Sequence, residues 1–144
     1  MPEPTKRALP HGAVLVRNIR PDDIRATGAI KKQAFIPRAN GKDEDGLSVS
    51  EPLEDSIDQL CARTLNQHRC FGKLHAGSVR GIEGGGANPL DVMAAPTITD
   101  GHHALITGMP RLADRQSSDA AKALTERLAE SLAKIAAVYT PPTA

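Results

Sequence analysis

Residues 61–75, CARTLNQHRCFGKLH, hold both cysteines of the chain and two of its five histidines. Cys61, His68, Cys70 and His75 are of the types that bind zinc, but their spacing lacks the closely spaced cysteine pair of common zinc motifs. In a continuous helix Cys61 and His68 would lie roughly 10 Å apart along the axis. Two ligands of one zinc ion lie about 3.5 Å apart. We therefore expect no metal here, and a zinc site on these four residues remains an alternative.

The cysteines can also be judged as nucleophiles. Cys61 belongs to an apolar stripe of helical spacing, which predicts a buried core thiol; the stripe also contains Leu53, Ile57, Leu60 and Leu65. Cys70, with His68 or His75 as base, would need an environment that favours the thiolate. It follows the predicted C-terminus of a helix, where the helix dipole disfavours an anion. The sequence therefore predicts that Cys70 belongs to the exit from a helix.

A second set of candidate residues is spread over three predicted strands. Arg17 lies in AVLVRNI (13–19), Ser48 in GLSVS (46–50), and His103 at the start of HHALITGMP (102–110). Neighbouring residues of a strand point to opposite faces, so His102 and His103 are expected to separate. His103 then serves as a binding group or general base if a cleft surrounds it. Otherwise it is a partly buried histidine at the start of a strand.

Composition and charge bear on several functions. Aromatic residues, which stack on bases and anchor peptides, are only Phe35, Phe71 and Tyr139. The formal charge is +1, from 18 basic and 17 acidic residues, so nucleic-acid binding is not supported.

The glycine-rich segment GIEGGGANP (81–89) lacks the Lys-Ser/Thr pair of a phosphate-binding loop. We interpret its glycines as part of a mobile hairpin or an irregular strand exit.

Localisation can be predicted from the same sequence. No run of 18 apolar residues is present, so no membrane span is expected. MPEPTKRALPHG at the N-terminus does not look like a secretory signal. Two cysteines in such a chain are typical of the reducing cytosol. We therefore expect a cytoplasmic bacterial protein.

The elements that must position these residues indicate an α+β fold. The chain of 144 residues fits one domain, predicted over 13–139 with flexible tails at 1–12 and 140–144. Further strands are predicted at 78–83 and 90–96. The segment PDDIRATG (21–28) is predicted as a turn or short helix, and AIKKQAFIP (29–37) as extended chain. Adjacent strands in the second half favour hairpin pairing. We expect a mainly antiparallel sheet on which two main helices pack, at about 51–67 and 118–139.

The two helices have recognisable end signals. The first has Ser50 as a predicted cap, an early proline and acidic residues in its first turn. The second has Ser118 as its cap, an apolar face that runs to Tyr139, and a Pro-Pro pair at 141–142 that stops it.

The order of four polar residues resembles one class of ADP-ribosyltransferases. Arg17, then Ser48 and Ser50, then Glu83 reproduce its order of Arg, Ser-x-Ser and Glu. The resemblance implies that the arginine and serine hold the dinucleotide and that Glu83 polarises the ribose. The chain departs from the pattern at Gly81, where the class carries Glu or Gln, and it lacks the stacking aromatics of such sites.

Three segments resemble a group of small bacterial proteins to which we can attach no activity. They are LVRNIRPDDI, KKQAFIPRANGKDEDGLSVS and GHHALITGMP, followed by a helix rich in Leu and Ala. The matching positions are Arg17, Pro21, Ala34, Phe35, Leu47 to Val49, and His103 to Pro110. The resemblance directs attention to Arg17, Ser48 and His103 and away from the cysteines.

These observations favour a protein that acts by binding. We expect a small accessory module of a larger bacterial system, such as a defence or toxin–antitoxin operon. Its partner would be a protein of the same operon or a second copy of the chain, with no cofactor and no membrane. The alternative is an enzyme, an ADP-ribosyltransferase-like or nuclease-like toxin built on Arg17, Ser48 and His103. A second alternative is the zinc-binding module.

Overall fold

Short apolar segments, which alternate between buried and partly buried residues in β3 and β5, form the strands of this protein. The computed structural model describes residues 7–37, 46–53, 56–63, 71–82, 90–98 and 100–140. Its described strands are β1 (Arg7–Ala8), β2 (Val14–Asn18), β3 (Leu47–Ser50), β4 (Phe71–His75), β5 (Asp91–Ala94), β6 (His103–Thr107) and β7 (Ala137–Tyr139). They form one antiparallel sheet in the order β1-β5-β6-β3-β2-β4-β7.

Helices complete the described part of the chain. They are α1 (Ile57–Arg63), α2 (Ala76–Arg80), α3 (Leu112–Ser117) and α4 (Asp119–Ile135), with 3-10 helices at Pro21–Asp23 and Lys32–Phe35. The predicted α+β fold, a mainly antiparallel sheet with helices on it, is confirmed. Within the described ranges, none of the helices combines the length and the apolar character needed to cross a bilayer.

The larger core lies on one face of the sheet. Alternate strand residues such as Leu47, Val49 and Ile106 point into it, and α4 covers them with Leu128 and Leu132. The 3-10 helix Lys32–Phe35 packs against α4 and inserts Phe35, which is fully buried. A Cβ at Gly72 on β4 would come within 3.2 Å of the Phe35 ring. A glycine in this strand therefore leaves room for the aromatic ring.

A smaller core lies on the opposite face and is covered by α1. Leu60 and Cys61 of this helix pack with Val16 and Phe71 of the sheet. Tyr139 of β7 donates a hydrogen bond to Asp58 of α1. The predicted burial of Cys61 is confirmed, since its side chain is completely enclosed.

The start of the first main helix differs from the prediction. Ser50 belongs to β3, where it pairs with His103 of β6, so it does not cap a helix. The described helix begins at Ile57. Ser56 caps it instead, because its hydroxyl accepts from the Gln59 N–H at 3.1 Å and the Gln59 side chain accepts from the Ser56 N–H at 2.8 Å. This reciprocal pair is a capping box. Residues 64–67 lie outside the described ranges.

The end of the last helix also differs. Ser118 caps α4 as predicted, its hydroxyl accepting from the Ala121 N–H. The helix ends at Ile135, however, and Ala137–Tyr139 form β7 against β4. Pairing with β4 gives these three residues hydrogen bonds that a further helical turn would otherwise supply.

Three shorter segments also depart from their predictions. Ser78–Arg80 of the predicted strand 78–83 belong to α2, and Glu83 lies outside the described ranges. Lys32–Phe35, predicted as extended, form a 3-10 helix that places Phe35 in the core. Arg7–Ala8 form β1 on the edge of β5, so these two residues of the segment predicted as a flexible tail belong to the sheet.

Candidate functional site

Arg17, Ser48 and His103 line one cleft of about 180 Å³. They come from β2, β3 and β6, and the remaining lining residues are Val16, Asn18, Val49 and Ser50. Among the described residues β2 and β3 pair at Val16 and Ser50. On the Ser48 side of that pair, a hydrogen bond from the Arg17 side chain connects the two strands. The cleft therefore lies where a hydrogen bond from the Arg17 side chain, next to the backbone pairing of Val16 with Ser50, connects β2 to β3.

Arg17 is the cationic wall of this cleft. Its side chain is buried, with Nε donating to the Ala34 carbonyl at 2.7 Å and Nη1 donating to the Ser48 carbonyl at 2.6 Å. Hydrogen bonds from a charged donor are among the strongest in proteins. Arg17 thus joins β2 to β3 and to the 3-10 helix. It positions Ser48 and adds a permanent positive charge at the backbone of that residue.

Ser48 and His103 lie side by side on the face opposite the main core. The register pairs Ser50 with His103 and Ser48 with Leu105, which makes Ser48 a diagonal neighbour of His103. Ser48 Oγ lies 3.4 Å from His103 Nε2. Both side chains are only partly buried. Solvent and small molecules can therefore reach them.

The other nitrogen of His103 determines its tautomer. His103 Nδ1 lies 2.9 Å from the Ala95 carbonyl oxygen. A carbonyl oxygen only accepts hydrogen bonds, so Nδ1 carries the proton and donates. In the neutral ring, Nε2 then presents its lone pair to the Ser48 hydroxyl, which donates to it. The pair can therefore transfer a proton from Ser48 to His103.

His102 points elsewhere, as the alternation of a strand predicts. Its Nδ1 lies 2.9 Å from the Glu51 carbonyl oxygen, and its backbone N–H donates to Asp100. Glu51 is buried and accepts from Arg7 at 3.3 Å. His102 therefore connects the segment after β3 to β6 and does not line the cleft.

The zinc alternative cannot be assembled from the described residues. His68 and Cys70 lie outside them, and His75 ends β4 four residues after Phe71, the strand residue that packs with Cys61. Four strand residues span roughly 13 Å. In the described part of the chain, no group of three His, Cys, Asp or Glu side chains could hold a metal ion.

The Cys61 thiol is held in its protonated form. Burial, followed by the nearby Asp58 carboxylate, raises the pKa of Cys61 from 9.0 to about 11. A nucleophilic cysteine requires the opposite shift. Cys61 is therefore a structural residue of α1.

Sequence reasoning missed several members of the cleft. Ser50, considered only as a helix cap and in the ADP-ribosyltransferase comparison, and Asn18 also line it. Their strand positions would have indicated them, because Ser50 follows Ser48 at the period of two that keeps residues on one face. No sequence signal marks the Ala95 carbonyl, because every residue carries that group. Glu83 of the ADP-ribosyltransferase order lies outside the described residues.

The chain matches no protein-family model, no curated protein and no solved structure. The chemistry of the site is therefore interpreted from its own geometry.

Proposed function

We propose that this protein acts by binding, and that the cleft between β2 and β3 receives a small anionic ligand such as a carboxylate. The observation that carries the proposal is the convergence of Arg17, Ser48 and His103, from three separate strands, on one cleft. Small-molecule sites typically combine an enclosed volume with a few convergent polar groups. Here the groups are a hydroxyl and an imidazole that can donate from both nitrogens when protonated, beside the fixed positive charge of the Arg17 guanidinium.

The size of the cleft limits the ligand. A volume of about 180 Å³ has room for roughly six groups the size of a water molecule. Acetate, other short carboxylates and inorganic anions fit this limit. The module would then sense or carry a small metabolite in the bacterial cytoplasm. The free Cys61 thiol is in keeping with that location.

The binding proposal is tested with a panel of acetate, propionate, phosphate and the neutral analogue acetamide. We expect a carboxylate to raise the unfolding temperature of the full chain and to shift amide resonances of β3 and β6. A ligand at 100 times its dissociation constant adds about 2.7 kcal/mol to the unfolding free energy. Ser48→Ala and His103→Asn should remove most of this gain, and His102→Ala should retain it.

Two results would overturn the proposal. One is that no member of the panel perturbs the cleft resonances. The other is a gain in stability that is equal in wild type, His103→Asn and His102→Ala, which would place binding elsewhere. Measuring oligomeric state in the same samples shows whether a second copy of the chain occupies the cleft instead.

An enzyme is the second candidate, and the hydrogen bond between Ser48 and His103 is what favours it. In an ADP-ribosyltransferase-like or nuclease-like enzyme, Arg17 would take part directly in binding or catalysis. Its Nε and Nη1 donate to backbone carbonyls at 2.7 and 2.6 Å, which gives it a positioning role instead. Among enzymes, the geometry therefore favours chemistry centred on Ser48 and His103.

A further inference from the structure

We propose that Ser48 is a nucleophile, activated by His103, that reacts with small esters. This inference rests on the proposed function, because it takes the same cleft as the ligand site and names a reactive class of ligand for it. An ester has a carbonyl carbon for Ser48 to attack and an oxygen that becomes anionic during the reaction. Ester carbonyls of acetyl size also fit a cleft of about 180 Å³.

The first support is that the imidazole of His103 is held in one orientation. The Ala95 N–H donates to the His103 carbonyl at 2.9 Å, and His103 Nδ1 donates to the Ala95 carbonyl at 2.9 Å. The same two residues are thus joined through backbone and side chain. The neighbouring Ala94 and Ala104 pair in the β5–β6 ladder. The Ala95 carbonyl therefore occupies the position that an orienting carboxylate takes in a serine–histidine–aspartate triad.

The second support is the position of Ser48 relative to the base. Ser48 Oγ lies 3.4 Å from Nε2, which is long for a hydrogen bond. Hydrogen bonds between a nucleophile and its base are often loose in ligand-free sites and shorten when substrate binds. Both residues lie on paired strands, so the backbone fixes their relative position. Little rearrangement is needed for proton transfer.

The third support is the charge beside Ser48. Arg17 Nη1 lies 2.6 Å from the Ser48 carbonyl oxygen, so a guanidinium flanks the residue that carries the nucleophile. A fixed positive charge stabilises the oxyanion that forms when an ester carbonyl is attacked. Arg17 acts here through the electrostatic potential of the cleft and through the position of Ser48. It is a positioning residue.

The reaction balances without a further cofactor. Ser48 Oγ attacks the ester carbonyl carbon, a carbon–Oγ bond forms, and the hydroxyl proton moves to His103 Nε2. The bond between that carbon and the alcohol oxygen breaks, and the alcohol leaves with the proton from Nε2. Water then gives a proton to Nε2, its oxygen attacks the acyl carbon, and Ser48 leaves with that proton. The net change is ester plus water to carboxylic acid plus alcohol.

The test uses the full chain with 4-nitrophenyl acetate and with an alkyl fluorophosphonate, followed by intact mass and peptide mapping. We expect one adduct per chain, on Ser48. General-base assistance contributes about 10²- to 10⁴-fold, so Ser48 should react at least about 100-fold faster than the hydroxyl of the exposed Ser117. Ser48→Ala should abolish the adduct.

The histidine variants separate catalysis from folding. His103→Asn keeps an N–H that can donate to the Ala95 carbonyl but has no base at the Nε2 position, so labelling should fall about 100-fold with the fold preserved. His102→Ala is the matched control, because His102 also lies against a carbonyl but does not line the cleft, and its labelling should match wild type. Ser48→Cys provides a rescue: we expect iodoacetamide to alkylate that thiol, more slowly when His103→Asn is added.

The outcomes also distinguish this inference from the proposed function. Adducts spread over surface residues, or equal labelling of Ser48 in wild type and His103→Asn, overturn the nucleophile. If acetate still shifts the resonances of β3 and β6 in that case, the cleft binds without reacting and the binding proposal stands. If neither an adduct nor a shift is found, both proposals fail, and the Ser48–His103 bond only joins two strands.

Discussion

At the scale of single residues, burial and hydrogen bonding reverse the usual order of reactivity between Cys61 and Ser48, two residues that the structure describes. A cysteine is intrinsically the better nucleophile, yet Cys61 is enclosed in α1 with its pKa raised to about 11. Ser48 is partly exposed and lies next to an imidazole whose free nitrogen faces it. Chemistry is therefore expected at the serine.

Gly46, immediately before β3, gives a prediction at this scale. Its φ is +154°, and a Cβ there would lie 2.8 Å from the Ile106 carbonyl oxygen and 3.3 Å from the Leu105 Cβ. That carbonyl belongs to β6, next to the pairing of Leu47 with Ile106, so it cannot move without disturbing the ladder. We expect Gly46→Ala to lower the unfolding free energy in urea by about 1–3 kcal/mol.

Gly101 is the matched control for that substitution. A Cβ at Gly101 meets no atom within 4 Å, and Gly101→Ala should change stability by less than about 0.5 kcal/mol. Equal stability of the two variants would show that the β6 backbone at Ile106 moves to make room for the added Cβ. It would contradict a close approach of Gly46 to β6.

At the scale of elements, Arg17 reinforces the short pairing of β2 with β3 and joins these strands to a 3-10 helix. Its guanidinium connects β2 to β3 and to the 3-10 helix that places Phe35 in the core. A buried carbonyl oxygen that loses its hydrogen-bond donor destabilises the fold, and the bond to the Ala34 carbonyl is buried. The Arg17 side chain therefore supports both the cleft and the placement of the 3-10 helix that carries Phe35.

We expect Arg17→Met to lower the unfolding free energy by about 2–4 kcal/mol, because two hydrogen bonds from a charged donor are lost. Arg17→Lys should show an intermediate loss, since one ammonium does not reproduce the planar fork of a guanidinium. Urea unfolding measures both. Arg20→Met, at an exposed position beyond the same strand, is the control and should stay within about 0.5 kcal/mol of wild type. A stable Arg17→Met protein would contradict the bridging role.

At the scale of the whole molecule, α2 connects β5 to the segment that follows β1. Arg80 of this helix donates to Asp91 of β5 at 2.7 Å and also to the Leu9 and Val92 carbonyls. The hydrogen bond from Arg80, and then the Val92 N–H, lowers the pKa of Asp91 below its ordinary 3.8. Through these contacts α2 fastens the short strand β1 to the rest of the sheet.

The lowered pKa predicts a pH dependence of stability. When folding lowers the pKa of a carboxyl group, that group stabilises the protein at pH values above its pKa in the unfolded chain. The contribution is lost as the pH falls through its pKa in the folded protein. Asp91→Asn should therefore be less stable than wild type at pH 7, by under about 1 kcal/mol because the pair is partly exposed. The difference should vanish at pH values well below 3.8.

Urea unfolding at pH 7, 5, 3 and 2 measures this difference. In Arg80→Met the Asp91→Asn substitution should have little effect at any of these pH values, which isolates the pair as the cause. A gap between wild type and Asp91→Asn that is constant from pH 7 to pH 2 would show that Asp91 acts by other means.

Secondary-structure elements whose signal comes from residues adjacent in the sequence were predicted correctly. The short apolar segments AVLVRNI, GLSVS and HHALIT predict β2, β3 and β6, and Ser118 caps α4 as expected. Segments whose state depends on distant partners did not follow their patterns. Ala137–Tyr139 continue an apolar helical face but pair with β4, and Ser50 resembles a cap but pairs with His103.

By itself, the sequence determined the α+β class, the faces of the main strands and the residue types of the candidate site, because these depend on local alternation and on side-chain chemistry. Only the tertiary structure decided that Arg17, Ser48 and His103 share a cleft. It also decided that His103 lies between the Ser48 hydroxyl and the Ala95 carbonyl. The physical reason is that strand register selects these partners, and register depends on how distant strands bury their apolar faces together.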